Sequence, residues 1–267
     1  MGSAKSFAVL AGSGITNTGA TTLSGTDGAN IGSSPTGTFT GDTTVTTTGT
    51  KYLAADAVTA AAQNDLITAY NDAAGRTSAT AISADLGGQT LKQGVYNSAS
   101  SIGLTGTLTL DGENDPAAVF IFQAGSTLTT ASASRVNLIN GAQPCNVFWQ
   151  VGSSATFGTN SDFTGRVIAL TSITATTGAV FKGQLLARNG AVTLDTNTIT
   201  NDACAAVVTP TPTETATVTP TPTETATATP TATPTETATA TPTPTPTASA
   251  TATPTASATA TPTASPT

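Results

Sequence analysis

Apolar and polar positions alternate in step along the part of the chain that ends near residue 200. Four segments align without gaps: LTTASASRV (128–136), ATFGTNSDF (155–163), ITATTGAVF (173–181) and the shorter VTLDTNTI (192–199). Each opens on an apolar residue that is followed by threonine, and the last three openings lie 18 and then 19 residues apart. A period near 18 with strand-like alternation predicts a solenoid of β-coils.

Side chains along a strand point to alternate sides, so the residues on either side of each threonine are predicted to point inward. The predicted inward columns are Leu128, Ala155, Ile173 and Val192; Thr130, Phe157, Ala175 and Leu194; and Val136, Phe163, Phe181 and Ile199. The predicted outward column is Thr129, Thr156, Thr174 and Thr193, with Ser132, Thr159, Thr177 and Thr196 three residues later. Asn160, Gly178 and Asn197 are predicted at matching corners, because Asn and Gly tolerate left-handed backbone. Equivalent threonines should lie about 4.7–4.9 Å apart, which makes a regular hydroxyl surface.

One helix is predicted, over Ala54–Ala74, where apolar residues recur at helical spacing. Asp56 falls in the predicted first turn, where a carboxylate complements the helix dipole, and Gly75 marks the end. At about 1.5 Å per residue the helix is about 32 Å long. We therefore expect an amphipathic helix that lies along one face of the solenoid.

Composition changes sharply after Cys204, since only Ala, Val, Thr, Pro, Ser and Glu follow it. Residues 1–5, with the expression-type start Met1-Gly2-Ser3, are predicted to be a leader or cloning remnant. Residues 6–204 are predicted to form the β-solenoid domain. Residues 205–267 are predicted to be a Thr/Pro-rich disordered linker or tail, because proline removes backbone donors and nothing there can form a core.

Charge and residue types exclude several function classes. Only 9% of residues are charged, the net charge is −7 and the pI is near 4.2, so nucleic acid is not an expected partner. The chain has no histidine, which removes the commonest general base and metal ligand. No apolar run approaches the roughly 20 residues of a membrane-spanning helix. We expect no enzyme activity, no cofactor and no metal.

The two cysteines, Cys145 and Cys204, have no zinc-type spacing and are predicted to form one disulfide that closes the last coils. A disulfide indicates an oxidising compartment, so a secreted or cell-surface protein is expected. Five carboxylates offer two other hypotheses, a calcium loop or a glycan-cleaving site: Asp111, Glu113, Asp115, Asp162 and Asp195. Neither the EF-hand spacing nor a facing carboxylate pair is evident, which favours solvated turns.

Several motifs from Ser6 to Cys204 together resemble a known family, the bacterial and fungal ice-binding proteins of the domain-of-unknown-function 3494 type. The motifs include SFAVLAGSGITNTG, AYNDAAGRT, LGGQTLKQGVYNSASSIGLTGTLTLDG, AAVFIFQAGSTL and GAQPCNVFWQVGSSATFG. The resemblance implies a discontinuous right-handed β-helix of triangular section, all-β apart from one long α-helix alongside. It also implies that the N-terminal segment pairs back into the stack, and that one flat face binds ice.

The resemblance further implies an ice-binding motif, T-A/G-x-T/N, whose best match here is Thr171-Ser172-Ile173-Thr174. The predicted ice-binding residues are Thr127, Thr129, Ser154, Thr156, Thr171, Ser172, Thr174 and Thr193. The expected partner is the ice surface, bound by a monomer, and the tail could attach the protein to a cell surface. The alternative is an adhesive or structural surface module whose threonine face binds glycan or another protein.

Overall fold

Parallel strands dominate residues 1–206, the part of the chain that the computed structural model describes. All of the predicted tail except residues 205 and 206 lies outside these residues. The helices are a 3-10 helix Gly2–Ser6, a 3-10 helix Asp42–Thr44, the α-helix α1 Ala57–Ala74 and a 3-10 helix Pro144–Asn146. The strands are β1 Phe7–Ala11, β2 Gly14–Thr18, β3 Thr21–Ser24, β4 Asn30–Ser33, β5 Phe39–Thr40, β6 Val45–Thr47, β7 Thr80–Ala81, β8 Thr90–Lys92, β9 Gly94–Ser98, β10 Ile102–Leu104, β11 Thr107–Asp111, β12 Phe120–Ala124, β13 Leu128–Thr130, β14 Arg135–Ile139, β15 Val147–Val151, β16 Ala155–Phe157, β17 Asp162–Ala169, β18 Ile173–Ala175, β19 Val180–Ala187, β20 Ala191–Asp195 and β21 Thr198–Thr200.

The wall of the solenoid has three faces. A seven-stranded sheet, β10-β13-β16-β18-β20-β2-β5, forms the first, which we call the threonine face. The long strands β17 and β19 turn a corner at Gly165 and Gly183, both with positive φ, and so belong to two further faces. Their second halves join β7, β9, β12, β15, β1 and β4 in the helix face, and their first halves join β8, β11, β14, β21, β3 and β6 in the third face.

The stack is discontinuous in sequence. The first strand β1 pairs in parallel with β19, β2 pairs with β20, and β3 pairs with β21. The N-terminal coils therefore continue the stack beyond the last C-terminal coil, as the sequence resemblance predicted. Since every pairing is parallel, equivalent residues from distant parts of the chain fall into straight columns across each face.

The core runs along the axis of the solenoid. The inward columns predicted from the four aligned segments are all buried. Aromatic rings continue them: the centroids of Phe122 and Trp149 are 4.0 Å apart, and Trp149 and Phe163 follow at 4.9 Å. Fully burying a side chain of this size contributes about 1.5–3 kcal/mol, so the stacked coils are held mainly by the hydrophobic effect.

Helix α1 begins three residues later than predicted, at Ala57 rather than Ala54. Asp56 is its N-cap and not a first-turn residue: it accepts a hydrogen bond from the Thr59 backbone N–H at 2.8 Å, and the Thr59 hydroxyl accepts one from the Asp56 N–H at 3.0 Å. This reciprocal capping box satisfies donors that would otherwise lack partners, and it fixes the start of the helix. The helix ends at Gly75, as predicted.

Buried glutamines attach α1 to the helix face. Gln123 Nε2 donates to the Ala73 carbonyl at 2.8 Å, near the C-terminal end of the helix. Gln150 Nε2 donates to the Tyr70 hydroxyl at 2.8 Å. Residues 1–5, predicted to be a remnant, are packed in the same region, with Ala4 fully buried and its carbonyl accepting from Gln184 Nε2 at 2.9 Å. The packed region therefore includes the start of the chain.

Two links hold the stack together across coils. Cys145 and Cys204 form the predicted disulfide, with Cα atoms 5.4 Å apart and a sequence separation of 59. A loop of this length corresponds to about 4 kcal/mol in the chain-entropy account of disulfide stabilisation. The second link is a buried ion pair, in which Arg166 Nη2 lies 2.9 Å from Asp27 Oδ2. It ties an N-terminal coil to the coils that end the domain.

Candidate functional site

The predicted outward threonines form one column in the structure. Thr129 is paired with Thr156, Thr156 with Thr174, and Thr174 with Thr193, each directly across neighbouring strands of the threonine face. At about 4.7–4.9 Å per strand the hydroxyls are evenly spaced, as the sequence period predicts. The register of these four residues is therefore confirmed.

The column is longer than the sequence indicated. Thr16 in β2 pairs with Thr193, and Thr40 in β5 pairs with Thr16. Six residues thus make up what we call the threonine column, over about 24 Å at about 4.8 Å per strand. Beyond the other end of the column, Gly103 pairs with Thr129, and Asp85 pairs with Gly103.

Thr16 and Thr40 were missed by sequence reasoning because they precede Leu128, where the repeats begin, by 112 and 88 residues. A local signal was present, since Ser13-Gly14-Ile15-Thr16 has the same small-small-apolar-threonine pattern as the later coils. A search for a period among consecutive coils cannot find it, because the discontinuity of the stack places this coil at the far end.

The six hydroxyls of the threonine column face outward and have no protein partner among residues 1–206. Thr129, Thr156, Thr16 and Thr40 are exposed, and Thr174 and Thr193 are half-buried. The side-chain hydrogen bonds of the described residues include none from these hydroxyls. Each threonine except Thr40 lies between two buried residues of its own strand, which hold the backbone in place. The column therefore offers ordered hydroxyls and methyls to solvent.

A second line of small residues borders the column. Each of its members directly precedes the inward residue that comes before the column: Ser101, Thr127, Ser154, Ser172, Ala191, Gly14 and Thr38. Its hydroxyls are engaged within the wall. Thr127 Oγ1 donates to Ser101 Oγ at 2.8 Å, and Ser172 Oγ accepts from the Ala191 N–H at 3.3 Å. Ser154 Oγ likewise accepts from the Ser172 N–H at 3.3 Å. The predicted residues of this line thus stiffen the face, while their hydroxyls point along it.

The predicted motif residue Thr171 lies at the edge of the face. It is exposed, and its Oγ1 is 3.4 Å from Ser153 Oγ of the neighbouring coil. The eight predicted residues therefore lie on one face, but in three settings: the column, the bonded border and the edge.

Two predictions are wrong at the border on the other side of the column, which contains Thr177. Backbone hydrogen bonds run from Asn160 to Thr177, from Gly178 to Asp195 and from Thr196 to Thr18, so Asp195, and not Thr196, is the equivalent of Thr177. Thr196 takes the left-handed corner position predicted for Asn197, with φ of 53°. The last segment is one residue shorter, which shifts its corner by one position.

The corrected register leaves Asn197 inside the wall. It is buried, and its Nδ2 donates to the Thr176 carbonyl at 2.9 Å. Asp195 meanwhile brings a carboxylate to the border, where it accepts a hydrogen bond from Thr177 Oγ1. A charge therefore lies beside the column at this coil.

Resolved pKa shifts lie away from the middle of the column. Hydrogen bonds from the Gly87 N–H and then from Thr105 lower the pKa of Asp85, at the far end of the column. On the third face, the Glu113 N–H and then Asn140 lower the pKa of Asp111, and Glu113 raises that of Lys92. The column itself contains only neutral side chains, so its charge does not change with pH.

Two concave features of the described residues lie away from the threonine column. A groove of about 830 Å³ runs between α1 and the helix face, lined by apolar side chains such as Val95, Ile121 and Phe148. Within residues 1–206 there is no group of three or more Cys, Asp or Glu that could hold a metal ion. The same residues contain no helix with the length and apolar character to cross a lipid bilayer.

Known proteins with similar sequence and fold are ice-binding proteins. Residues 9–200 match the Ice-binding-like family. An ice-binding protein of Nostoc sp. (strain HG1) is 50% identical over 206 residues, which are 76% of this chain and 74% of the relative. An ice-binding protein of Colwellia sp is 36% identical over 217 residues, 74% of this chain and 82% of the relative. The crystal structure of an ice-binding protein from the Antarctic ascomycete Antarctomyces psychrotrophicus superposes with a TM-score of 0.71 at 42% identity, covering 76% of this chain and 97% of that one.

Proposed function

The chain belongs to the Ice-binding-like family, and on that premise we propose that it binds ice through the threonine column, inhibiting ice growth and recrystallisation. Membership confirms the family resemblance seen in the motifs and the β-solenoid fold that it implies. The residues proposed to contact ice are the six threonines of the column. The border residues Thr127, Ser154 and Ser172 and the edge residue Thr171 support them.

The proposed mechanism follows from the chemistry of threonine. Each side chain carries one hydroxyl and one methyl on a stiff χ1 torsion, so little entropy remains to be lost when both are fixed. The hydroxyl holds a water molecule at a defined position, and the methyl disfavours disordered water beside it. Repeated at the strand spacing, the six residues hold a row of ordered waters that merges with the ice lattice. Adsorbed protein then pins the growing ice front.

The observation that carries this proposal is the lack of protein partners for six aligned hydroxyls. In the neighbouring border line the hydroxyls of Thr127, Ser154 and Ser172 are all hydrogen-bonded within the protein. If threonine served only to form strands, we would not expect one line of hydroxyls without protein partners beside a line of hydrogen-bonded hydroxyls. The column also lies on an open strand face and has no aromatic side chain, whereas small-molecule and cofactor sites are typically concave and lined with apolar and aromatic groups. The geometry thus favours ice over glycan.

We also propose the compartment in which the protein acts and its oligomeric state. The Cys145–Cys204 disulfide supports an oxidising environment, so the protein acts outside the cytoplasm, secreted or at the cell surface. It acts as a monomer without a cofactor, since one copy of the column presents the complete contact. No reaction is assigned to it.

The test replaces threonines in the middle of the column with a bulky side chain. The double variant Thr156→Tyr with Thr174→Tyr should lose nearly all inhibition of ice recrystallisation, because two rings would hold the face away from the lattice. Crystal size in an annealed frozen sample measures the effect at matched protein concentration.

The matched control is Thr107→Tyr, at an exposed threonine of β11 in the third face. This variant should retain full activity, and circular dichroism should show that all variants are folded. Full activity of the double variant would show that the face is wrongly assigned. An inactive wild type would instead favour the adhesive alternative, which binding to a glycan array can then examine.

A further inference from the structure

Residues 201–206 form a strap along one edge of the solenoid, which we call the corner strap. Near its start Asp202 Oδ1 accepts a hydrogen bond from the Thr26 N–H at 3.0 Å, and the Ala203 N–H donates to Thr26 Oγ1 at 3.1 Å. Further on, Cys204 is bonded to Cys145. The strap is therefore held at an N-terminal coil and at a coil in the middle of the stack.

The last contact of the strap fixes the end of the described part of the chain. The Ala205 N–H donates to Gln143 Oε1 at 2.6 Å, one residue beyond the disulfide. Ala206 follows as the last described residue. A covalent bond at Cys204 and a hydrogen bond at Ala205 thus hold the two residues directly before Ala206.

The strap lies on the edge opposite the threonine face. Thr26 lies between β3 of the third face and β4 of the helix face, and Gln143 and Cys145 lie between β14 and β15 of the same two faces. In a three-sided coil the edge shared by two faces is the one farthest from the third. With about five residues per side at about 3.3 Å each, the strap is about 15 Å from the threonine column.

We propose that the corner strap is an attachment site: a bulky group joined covalently at residue 206 is held on the edge opposite the threonine face and leaves that face free. This inference rests on the proposed function. It adds a direction to it: bulk attached at residue 206 points away from the threonine column. The disulfide maintains that direction, because beyond the buried Asn201 the strap otherwise depends on hydrogen bonds from exposed residues.

The experiment places one bulky label at either of two positions in the full chain. Within residues 1–206 the native cysteines are paired with each other, so a cysteine introduced as Ala206→Cys or Thr156→Cys provides a distinct thiol. Each variant is coupled to the same maleimide–polyethylene glycol, and thermal hysteresis is compared with the same variant carrying a small maleimide cap. Beads coupled through either position are also presented to growing ice.

The variant labelled at 206 should keep the hysteresis of its capped form, and beads coupled through 206 should adhere to ice. The variant labelled at 156 should lose hysteresis, and its beads should be rejected. Loss of activity on labelling at 206, with the capped form active, overturns the attachment inference alone. Activity that survives labelling at 156, or a wild type without hysteresis, shows that the proposed ice face is wrong, and the attachment inference falls with it.

Discussion

The threonine face and the third face are built from the same coils and yet carry different chemistry. Both are parallel sheets that run the length of the stack with the same strand spacing. The third face presents Arg135 beside Asp162, and Lys182 Nζ lies 3.3 Å from Asp162 Oδ1. Along the same stack of coils the threonine column presents six neutral side chains. Parallel pairing and strand spacing are thus common properties of the two faces, and only the outward residues distinguish a candidate ice site.

The difference has a physical reason. Lysine and carboxylate side chains are strongly hydrated, and long side chains lose more entropy when they are immobilised. Each ion on the third face therefore holds its own hydration shell and resists an ordered water lattice. Threonine holds water at one atom and excludes it at another.

Moving the charge pattern of the third face onto the threonine column should have the largest effect. The double variant Thr156→Asp with Thr174→Lys places an ion pair on directly paired residues. Ice-recrystallisation inhibition should be lost, whereas the melting temperature should change little, because exposed ion pairs contribute only about 0–1 kcal/mol. Annealed-ice crystal size and calorimetry measure the two quantities.

The reciprocal change is the control for that prediction. Replacing both members of the third-face pair, Asp162→Thr with Lys182→Thr, should leave ice activity at the wild-type level. Retained activity in the charged column variant, or a large loss in the reciprocal variant, would remove the distinction between the two faces.

The two N-terminal threonines of the column give the next largest effect. Thr16→Tyr should reduce thermal hysteresis partially, and less than substitution at Thr174, because Thr16 lies nearer one end of the column. The matched control is Thr22→Tyr, an exposed threonine of β3 on the third face. Equal hysteresis in the Thr16 variant and the wild type would limit the ice site to the four C-terminal threonines.

Sequence alone predicted the repeated part of this architecture because local chemistry determines it. The inward columns, the register from Thr129 to Thr193 and the disulfide follow from side-chain alternation, a period near 18 and the presence of only two cysteines. The pairing of β2 with β20 joins residues more than 170 positions apart, and only the family resemblance indicated it. The corner shift at Thr196 arises from a single missing residue, which an alignment without gaps assigns to the wrong position.

Asp195 offers a smaller effect in the opposite direction. It occupies a position equivalent to Thr177 on the border of the column, so Asp195→Thr should raise thermal hysteresis modestly by removing the nearest charge. Loss of its hydrogen bonds from Thr177 and Thr196 should cost about 1 kcal/mol of stability. Asp162→Thr, which removes the same charge from the third face, should not raise hysteresis. Unchanged or lower activity in the Asp195 variant, once it is shown to be folded, would contradict a cost of charge at this border.

The smallest effect should be that of pH, and it separates the column from the rest of the molecule. The chain has no histidine and the column has no titratable side chain, so hysteresis should stay constant from about pH 5 to about pH 9.

Stability should behave differently in acid. Hydrogen bonds from Ser3 lower the folded-state pKa of Asp65, and those from the Gly87 N–H and then Thr105 lower that of Asp85. Their contributions are complete above the unfolded value of 3.8 and decline as the pH falls through the folded pKa. Melting temperatures should therefore fall only below about pH 4, and a change of hysteresis near neutrality would place a titrating group in the ice contact.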